Sequence, residues 1–507
     1  MNQVRQIAVI TTSDLHGHEE GMAKAGRLIR RLQEQYPDHI LIDNGDVLQG
    51  SLLTTFCQER QPNEKLPMHH FLETLSYDCA VVGNHEFNYG KAYAEHYRSF
   101  SPCPILSANT IDRSTTLPAF GQGWHRKTLS GSFRIAVLGL TTQYIPHWER
   151  KEHIEGLDFI DPVKVAKEQM ATVIAQQTAD LIVIAYHGGI VGNLEDPDAQ
   201  SSEENQGREL VQFGAHAVIT GHQHRVLAGK IGDTAIVQPG SHGSHVGLIV
   251  FDYKFLDGRW VFQGSNCAVL ATQEEQPDER IAQLFYPYRQ AMQDWLKEPI
   301  GSVVGDMRIR DAMEVRLHGH SWLSFLHDVQ RSYTFAQLSV VSLFRDTSPG
   351  LDATITRESI LLNYVFPNRL AMVSLRGADI KAMLEVTASY FEKRDNGDLQ
   401  AAMIGDQYRL RPFDYDLWEG ITYTIDVGQP VGQRVISILF EDKPIDVDAY
   451  YTVAMNSYRA SGGAHYPFLA EADVLFQSDA MMTDLIIAYC KEHPVIISEN
   501  RAKMQIW

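Results

Sequence analysis

The sequence predicts an α/β protein, with a layered N-terminal domain of buried strands and helices followed by a second domain of mixed character. Three observations predict it. Five short apolar runs between Ile7 and Thr220 each end in a turn loaded with His, Asp or Asn. Helix-like stretches such as Ala23 to Gln35 and Val163 to Gln177 lie between several of them. The pattern then changes near Pro277. A length of 507 residues, at roughly 150 per domain, allows two to four cores.

The runs follow one another in order. Ile7-Ala-Val-Ile10 leads to Asp14-Leu-His16, and Ile40-Leu-Ile42 leads to Asp43-Asn-Gly-Asp46. Ala80-Val-Val82 precedes Gly83-Asn84-His85-Glu86, and Leu181 to Ala185 precedes Tyr186-His187-Gly-Gly. Ala217-Val-Ile-Thr220 precedes Gly221-His222-Gln-His224. Continuous apolar runs bounded by Gly and polar residues read as central strands buried on both faces. Ligands collect at the carboxyl ends of such strands, so five turns distant in sequence can meet on one rim.

From Pro277 to Glu298 the apolar residues Ile281, Leu284, Phe285, Tyr288, Met292 and Leu296 fall near helical spacing, which predicts a connecting helix. The expected division is residues 1–272, a linker over 273–300, and a second domain over 301–507. In the last, Ala378 to Lys393 predicts a helix closed by Asp395-Asn-Gly, and Ile421 to Val427 an alternating strand.

Composition narrows the function. Forty-four Lys+Arg against 63 Asp+Glu leave a net charge of −19, a poor match to DNA, RNA or an anionic membrane. No apolar run is long enough to span a bilayer, and Met1 to Ile10 shows no secretory signal. The five cysteines are widely spaced, with no CxxC pair, which suits a reducing cytoplasm better than a disulfide framework. A cytoplasmic protein, monomeric or weakly oligomeric, is expected.

Asp14, His16, Asp46, Asn84, His187, His222 and His224 offer two carboxylates, one amide oxygen and four imidazoles. Such a nitrogen and oxygen set suits Zn, Mn, Fe or Co. Seven ligands exceed the needs of one ion with an open position and match two ions sharing a carboxylate. His242 and His245 fall near another strand end, outside this set.

Asp14-Leu-His16, Asn44-Gly-Asp46, Gly83-Asn84-His85-Glu86, His187 and Gly221-His222-Gln-His224 resemble, in order, the five blocks of calcineurin-type metallophosphoesterases of the 5′-nucleotidase branch. The resemblance implies a four-layer α/β/β/α N-terminal domain, a linking helix and a C-terminal α+β domain that binds substrate. It implies one metal on Asp14, His16, Asp46 and His224, and a second on Asp46, Asn84, His187 and His222. His85 resembles the family's catalytic histidine, with Asn88 as its neighbour in the mechanism.

Two departures refine this. Where 5′-nucleotidases carry Asp after Gly-Asn-His-Glu-Phe, this chain has Asn88, followed by Tyr89-Gly90. An amide cannot stabilise an imidazolium as a carboxylate does, so His85 is expected to be less readily protonated. Where they carry Asp after Gly462-Gly463, Ala464 stands. The Asn88-Tyr89-Gly90 continuation is similar to the 2′,3′-cyclic-nucleotide 2′-phosphodiesterase/3′-nucleotidases, and Ala464 moves the chain away from the 5′ branch. In the second domain the resemblance implies Phe413 and Tyr458 as the two rings that hold the base, a contact tolerant of base identity.

The leading expectation is therefore a dimetal hydrolase of 2′,3′-cyclic nucleotides and 3′-nucleotides. The alternatives are a 5′-nucleotidase or UDP-sugar hydrolase, a non-catalytic nucleotide or metal sensor, and a nucleic-acid binder, which the charge disfavours.

Overall fold

The computed structural model describes residues 4–196, 198–405 and 407–507. The chain divides into two compact units, Met1–Met292 and Gln293–Trp507.

The N-terminal unit is built on two six-stranded sheets. In the first, the order is Arg259–Ala271, His245–Leu256, Arg5–Thr12, His39–Asp43, Cys79–Val81 and Ile105–Leu106. In the second it is Val226–Ile231, Thr234–Pro239, Ala217–Ile219, Leu181–His187, Arg134–Thr141 and Trp124–Thr128. Alternation along each strand assigns its faces. Ile7, Val9, Ile40 and Ile42 of the first sheet share one core with Val137, Val183, Ala185 and Ile219 of the second. The residues between them point outward. Leu138, Ile182, Ile184 and Val218 pack with Ala166, Met170 and Val173 of the helix Pro162–Ala175. The helix Glu19–Gln35 buries Met22, Ala25, Leu28, Ile29 and Leu32. Helices outside two facing sheets give the α/β/β/α order, and each central strand is apolar throughout because both its faces are covered.

Arg5–Thr12, His39–Asp43 and Cys79–Val81 are parallel neighbours, as are Leu181–His187 and Ala217–Ile219. Their carboxyl ends therefore carry the five polar turns to common edges. The expected connecting helix runs over Glu279–Lys297 with Pro287 inside it.

The C-terminal unit is α+β. A mixed five-stranded sheet has the order Asp416–Glu419, Leu338–Ser342, Tyr450–Asn456, Arg369–Arg376 and Asp473–Met481, and the buried helix Ser321–Thr334 packs into the same core. One expectation needs correction. The helix predicted over Ala378 to Lys393 ends at Ala388, and Phe391–Lys393 instead pairs with Leu399–Ala401 as a hairpin around Asp395-Asn-Gly. The turn dipeptide Asn-Gly favours a hairpin over helix continuation.

Candidate dimetal centre

Asp14 and His16 lie just beyond the strand Arg5–Thr12, Asp46 beyond His39–Asp43, and Asn84 and His85 beyond Cys79–Val81. His187 ends Leu181–His187, and His222 and His224 follow Ala217–Ile219. The structure brings all seven candidate ligands together. Ligand atoms of Asp14, His16 and His224 lie within 4.8 Å of one another, as do those of Asp46, His187 and His222, and those of His16, Asp46 and His85. Asn84 joins the second group, its Oδ1 2.8 Å from His222 Nδ1 and 3.2 Å from His187 Nε2. Asp46 is the residue common to both sides.

The backbone is bent to achieve this. Asp14, His16, Asp46, His222 and His224 have φ of 54°, 51°, 61°, 67° and 56°. Left-handed conformations cost a non-glycine residue of order 1–3 kcal/mol and persist where the surroundings enforce them. Here buried hydrogen bonds enforce them: Asp14 N–H donates to Gly45 O and His16 N–H to Asp46 O, both at 2.9 Å. Gly83 has to be glycine, because a Cβ there would collide with the Asp46 carboxylate. Glu86, next to His85, is the buried acceptor that organises the turn. Its carboxylate takes the N–H groups of Gly83, Asp46, Val47 and Leu48 at 2.6, 3.0, 2.7 and 3.2 Å.

The donor set fits cations. His187 Nδ1 and His16 Nδ1 each face a carbonyl, Asn44 O and Gln49 O, at 2.6 Å. A carbonyl only accepts, so both Nδ1 atoms carry hydrogen and both Nε2 atoms face inward, where a cation would take their lone pairs. His16 Nε2 lies 3.0 Å from His224 Nε2, which is itself 3.4 Å from Asp14 Oδ1. His222 presents Nδ1 inward and holds Glu204 Oε1 at 2.8 Å through Nε2. Asp46 Oδ2 is buried, accepts no hydrogen bond of good geometry and has His187 Nε2 beside it at 3.0 Å, a pairing that a cation would satisfy better.

Electrostatics point the same way. Burial opposes ionisation of Asp46, yet His187, His85 and His16 hold its carboxyl well below the usual range. Burial also opposes charge on His187, but Asp46 and Asp14 push it up to about 10. Burial lowers His16 to about 4. The proton on His187 neutralises a buried carboxylate, and a divalent cation at that point would replace it.

His85 stands at the edge of the centre, Nε2 3.9 Å from Asp46 Oδ2, with its Nδ1 2.5 Å from Asn88 Oδ1. Several neighbours escaped the sequence reading. Glu149 touches Asn88, Glu204 holds His222, and the Trp148 ring lies 5.1 Å from that of His222. These come from loops without a motif, so no local signal marked them; Glu86 did sit inside a recognisable block. His242 donates its N–H to Asp14 O, and its ring lies 5.3 Å from His16, a supporting place at the rim. His245 begins a strand and contacts Ser244.

In the C-terminal unit, Phe413 sits on the turn Pro412–Asp414 and Tyr458 on the short helix Ser457–Ala460. Both rings meet Arg411. Its guanidinium lies 4.6 Å from the Phe413 centroid and donates to Tyr458 Oη at 3.2 Å. The buried Arg459 fastens the two segments, pairing with Asp416 at 2.8 Å and donating to Phe413 O at 2.6 Å.

Residues 7–226 match the family model of calcineurin-like phosphoesterases, and residues 299–471 that of the 5′-nucleotidase C-terminal domain. The chain is 24% identical to a 2′,3′-cyclic-nucleotide 2′-phosphodiesterase/3′-nucleotidase of Yersinia enterocolitica, over 96% of this chain and 86% of that one. It is also 24% identical to the trifunctional nucleotide phosphoesterase protein YfkN of Bacillus subtilis, where 97% of this chain spans 38% of the relative's length. A Staphylococcus aureus structure described as a 5′-nucleotidase, solved with α-ketoglutarate, superposes with a TM-score of 0.64 at 28% identity over 99% of both chains. The chain is a calcineurin-like phosphoesterase joined to a 5′-nucleotidase C-terminal domain.

Proposed function

We propose that this protein is a metal-dependent hydrolase of nucleotide phosphate esters that opens 2′,3′-cyclic nucleotides and removes the 3′-phosphate. The observation that carries the reading is the convergence of seven nitrogen- and oxygen-bearing side chains about the buried Asp46 carboxylate. Asp14, His16, Asp46 and His224 would hold one ion, and Asp46, Asn84, His187 and His222 the other. When bound, two divalent cations supply Lewis acidity toward phosphate oxygens and a water acidic enough to attack phosphorus.

The chain's own residues do the rest. Water adds to phosphorus as the bond to the ribose 2′-oxygen breaks, giving a 3′-phosphate; a second hydrolysis releases the nucleoside. With Nδ1–H fixed on Asn88, His85 turns Nε2 to the reacting groups, takes up there the proton given up by the attacking water, stabilises the phosphoryl charge and passes that proton to the departing oxygen. Phe413 and Tyr458 would stack on the base.

Asn88 and Ala464, where 5′-nucleotidases carry carboxylates, favour cyclic and 3′ substrates over 5′-nucleotides and UDP-sugars, and the Yersinia relative bears that name. The test is parallel hydrolysis of 2′,3′-cyclic AMP, 3′-AMP, 5′-AMP and UDP-glucose with Mn and with Zn. Faster turnover of the first two is expected; a tenfold preference for 5′-AMP overturns the specificity, and no metal-dependent turnover favours a sensor. Among the described residues no helix is long and apolar enough to cross a membrane. The five unpaired cysteines support a cytoplasmic setting, and a monomer or weak oligomer completes the reading.

A further inference from the structure

Asn88 is pinned from both sides. Its Oδ1 lies 2.5 Å from His85 Nδ1, and its Nδ2 donates to Glu149 Oε2 at 2.6 Å. The Glu149 side chain is 7% exposed, so this carboxylate is largely withdrawn from water. Its other oxygen, Oε1, takes the N–H of Arg150 at 2.9 Å and His153 Nδ1 at 2.7 Å. The Glu149 backbone is tied in turn to Ile145 O at 3.0 Å.

An ionised carboxylate only accepts hydrogen bonds. Facing Glu149, the Asn88 amide has to present Nδ2, which leaves Oδ1 as the atom facing His85. An acceptor at that point requires hydrogen on His85 Nδ1 and frees Nε2. We infer that Glu149 is a positioning residue that fixes the tautomer and orientation of His85 through Asn88. It touches neither substrate nor cation. The carboxylate missing beside His85 is thus supplied one residue further out, from a loop 61 positions away in sequence. This inference rests on the proposed role of His85 in the reaction above.

A double-mutant cycle tests it, using the whole protein loaded with Mn, 2′,3′-cyclic AMP as substrate, and metal content measured on every variant. In Glu149→Gln the new amide can donate toward Asn88 and turn it over, presenting NH₂ to His85. We expect kcat to fall about tenfold, with KM within twofold and metal content unchanged. Asn88→Asp alone puts two carboxylates in contact and should lower kcat as well. Combined with Glu149→Gln, the same change gives His85 Nδ1 a carboxylate directly and gives that carboxylate an amide donor. The double variant should recover kcat to within threefold of wild type. Glu149→Asp, which keeps the charge, should lose less than Glu149→Gln.

Losses that multiply in the double variant, or a wild-type kcat in Glu149→Gln, overturn the inference. So does a loss in Glu149→Gln that comes with missing metal. If Glu149→Gln does not fold, Glu149→Asp and Asn88→Asp decide: full activity in Asn88→Asp overturns the relay. His85→Ala in the same series separates the two readings, since undiminished kcat there removes the reaction scheme itself rather than Glu149.

Discussion

Asp46 Oδ2 lies 3.0 Å from His187 Nε2, and both side chains are sealed from solvent. The carboxylate comes from one sheet and the imidazole from the other, so the contact joins the two halves of the sandwich at the candidate metal site. Asp46→Asn removes the charge from the one side chain common to both proposed ions. We expect elemental analysis to find fewer than two ions per chain, and kcat to fall at least about a thousandfold.

Removal of metal should also loosen the fold. An ion that binds only the folded chain stabilises it by mass action, about 2.7 kcal/mol at a hundredfold excess over its Kd. Chelation should therefore lower the Tm of the N-terminal unit by several degrees, with recovery on adding Mn or Zn, and leave the C-terminal unit unmoved. Differential scanning calorimetry of the chelated and reloaded protein reads both.

His85→Ala should reduce kcat by about 10²–10⁴-fold while both ions are retained, because the histidine serves the leaving group and does not hold metal. The same variant assayed on an ester with a strongly acidic leaving group should lose far less, since that oxygen departs without a proton.

For Phe413→Ala and Tyr458→Ala, base stacking worth about 1–3 kcal/mol predicts a rise in KM for nucleotides of about five- to a hundredfold. Hydrolysis of bis(p-nitrophenyl) phosphate, which carries no base, should keep its kcat. A matching loss on both substrates would assign the rings to folding.

His327 is buried in the C-terminal unit, where burial, with Arg501 and Arg331 nearby, lowers its pKa to about 3. The unfolded chain takes up a proton near pH 6.5 and the folded one does not, so stability falls as pH drops from 6.5 toward 3 and is unaffected by this group above pH 7. At pH 5 the penalty is about 2 kcal/mol. Denaturant unfolding of wild type and His327→Gln should show that difference shrinking between pH 7 and pH 5.

Much of the fold and most of the site were legible in the sequence, for a definite reason. Each proposed ligand sits within six residues of a buried apolar run, and the carboxyl ends of parallel strands gather their turns without further information. Glu149, Glu204 and Trp148 were not legible, because loops fixed only by tertiary contacts carry no period and no motif. Arg411 was missed for a similar reason, since only folding reveals that its guanidinium lies on Phe413. The early end of the helix at Ala388 shows local turn chemistry overriding an apolar helical pattern.

Asp14 and His222 touch across 208 positions of chain. During synthesis, then, Asp14 leaves the ribosome long before its partner exists, and the pocket stays open until about 208 further residues have been made. A nascent chain stalled short of His222 would carry Asp14, His16, Asp46, Asn84 and His187 but neither His222 nor His224, so each proposed ion would lack one ligand and capture of the pair would mark completion of the sandwich.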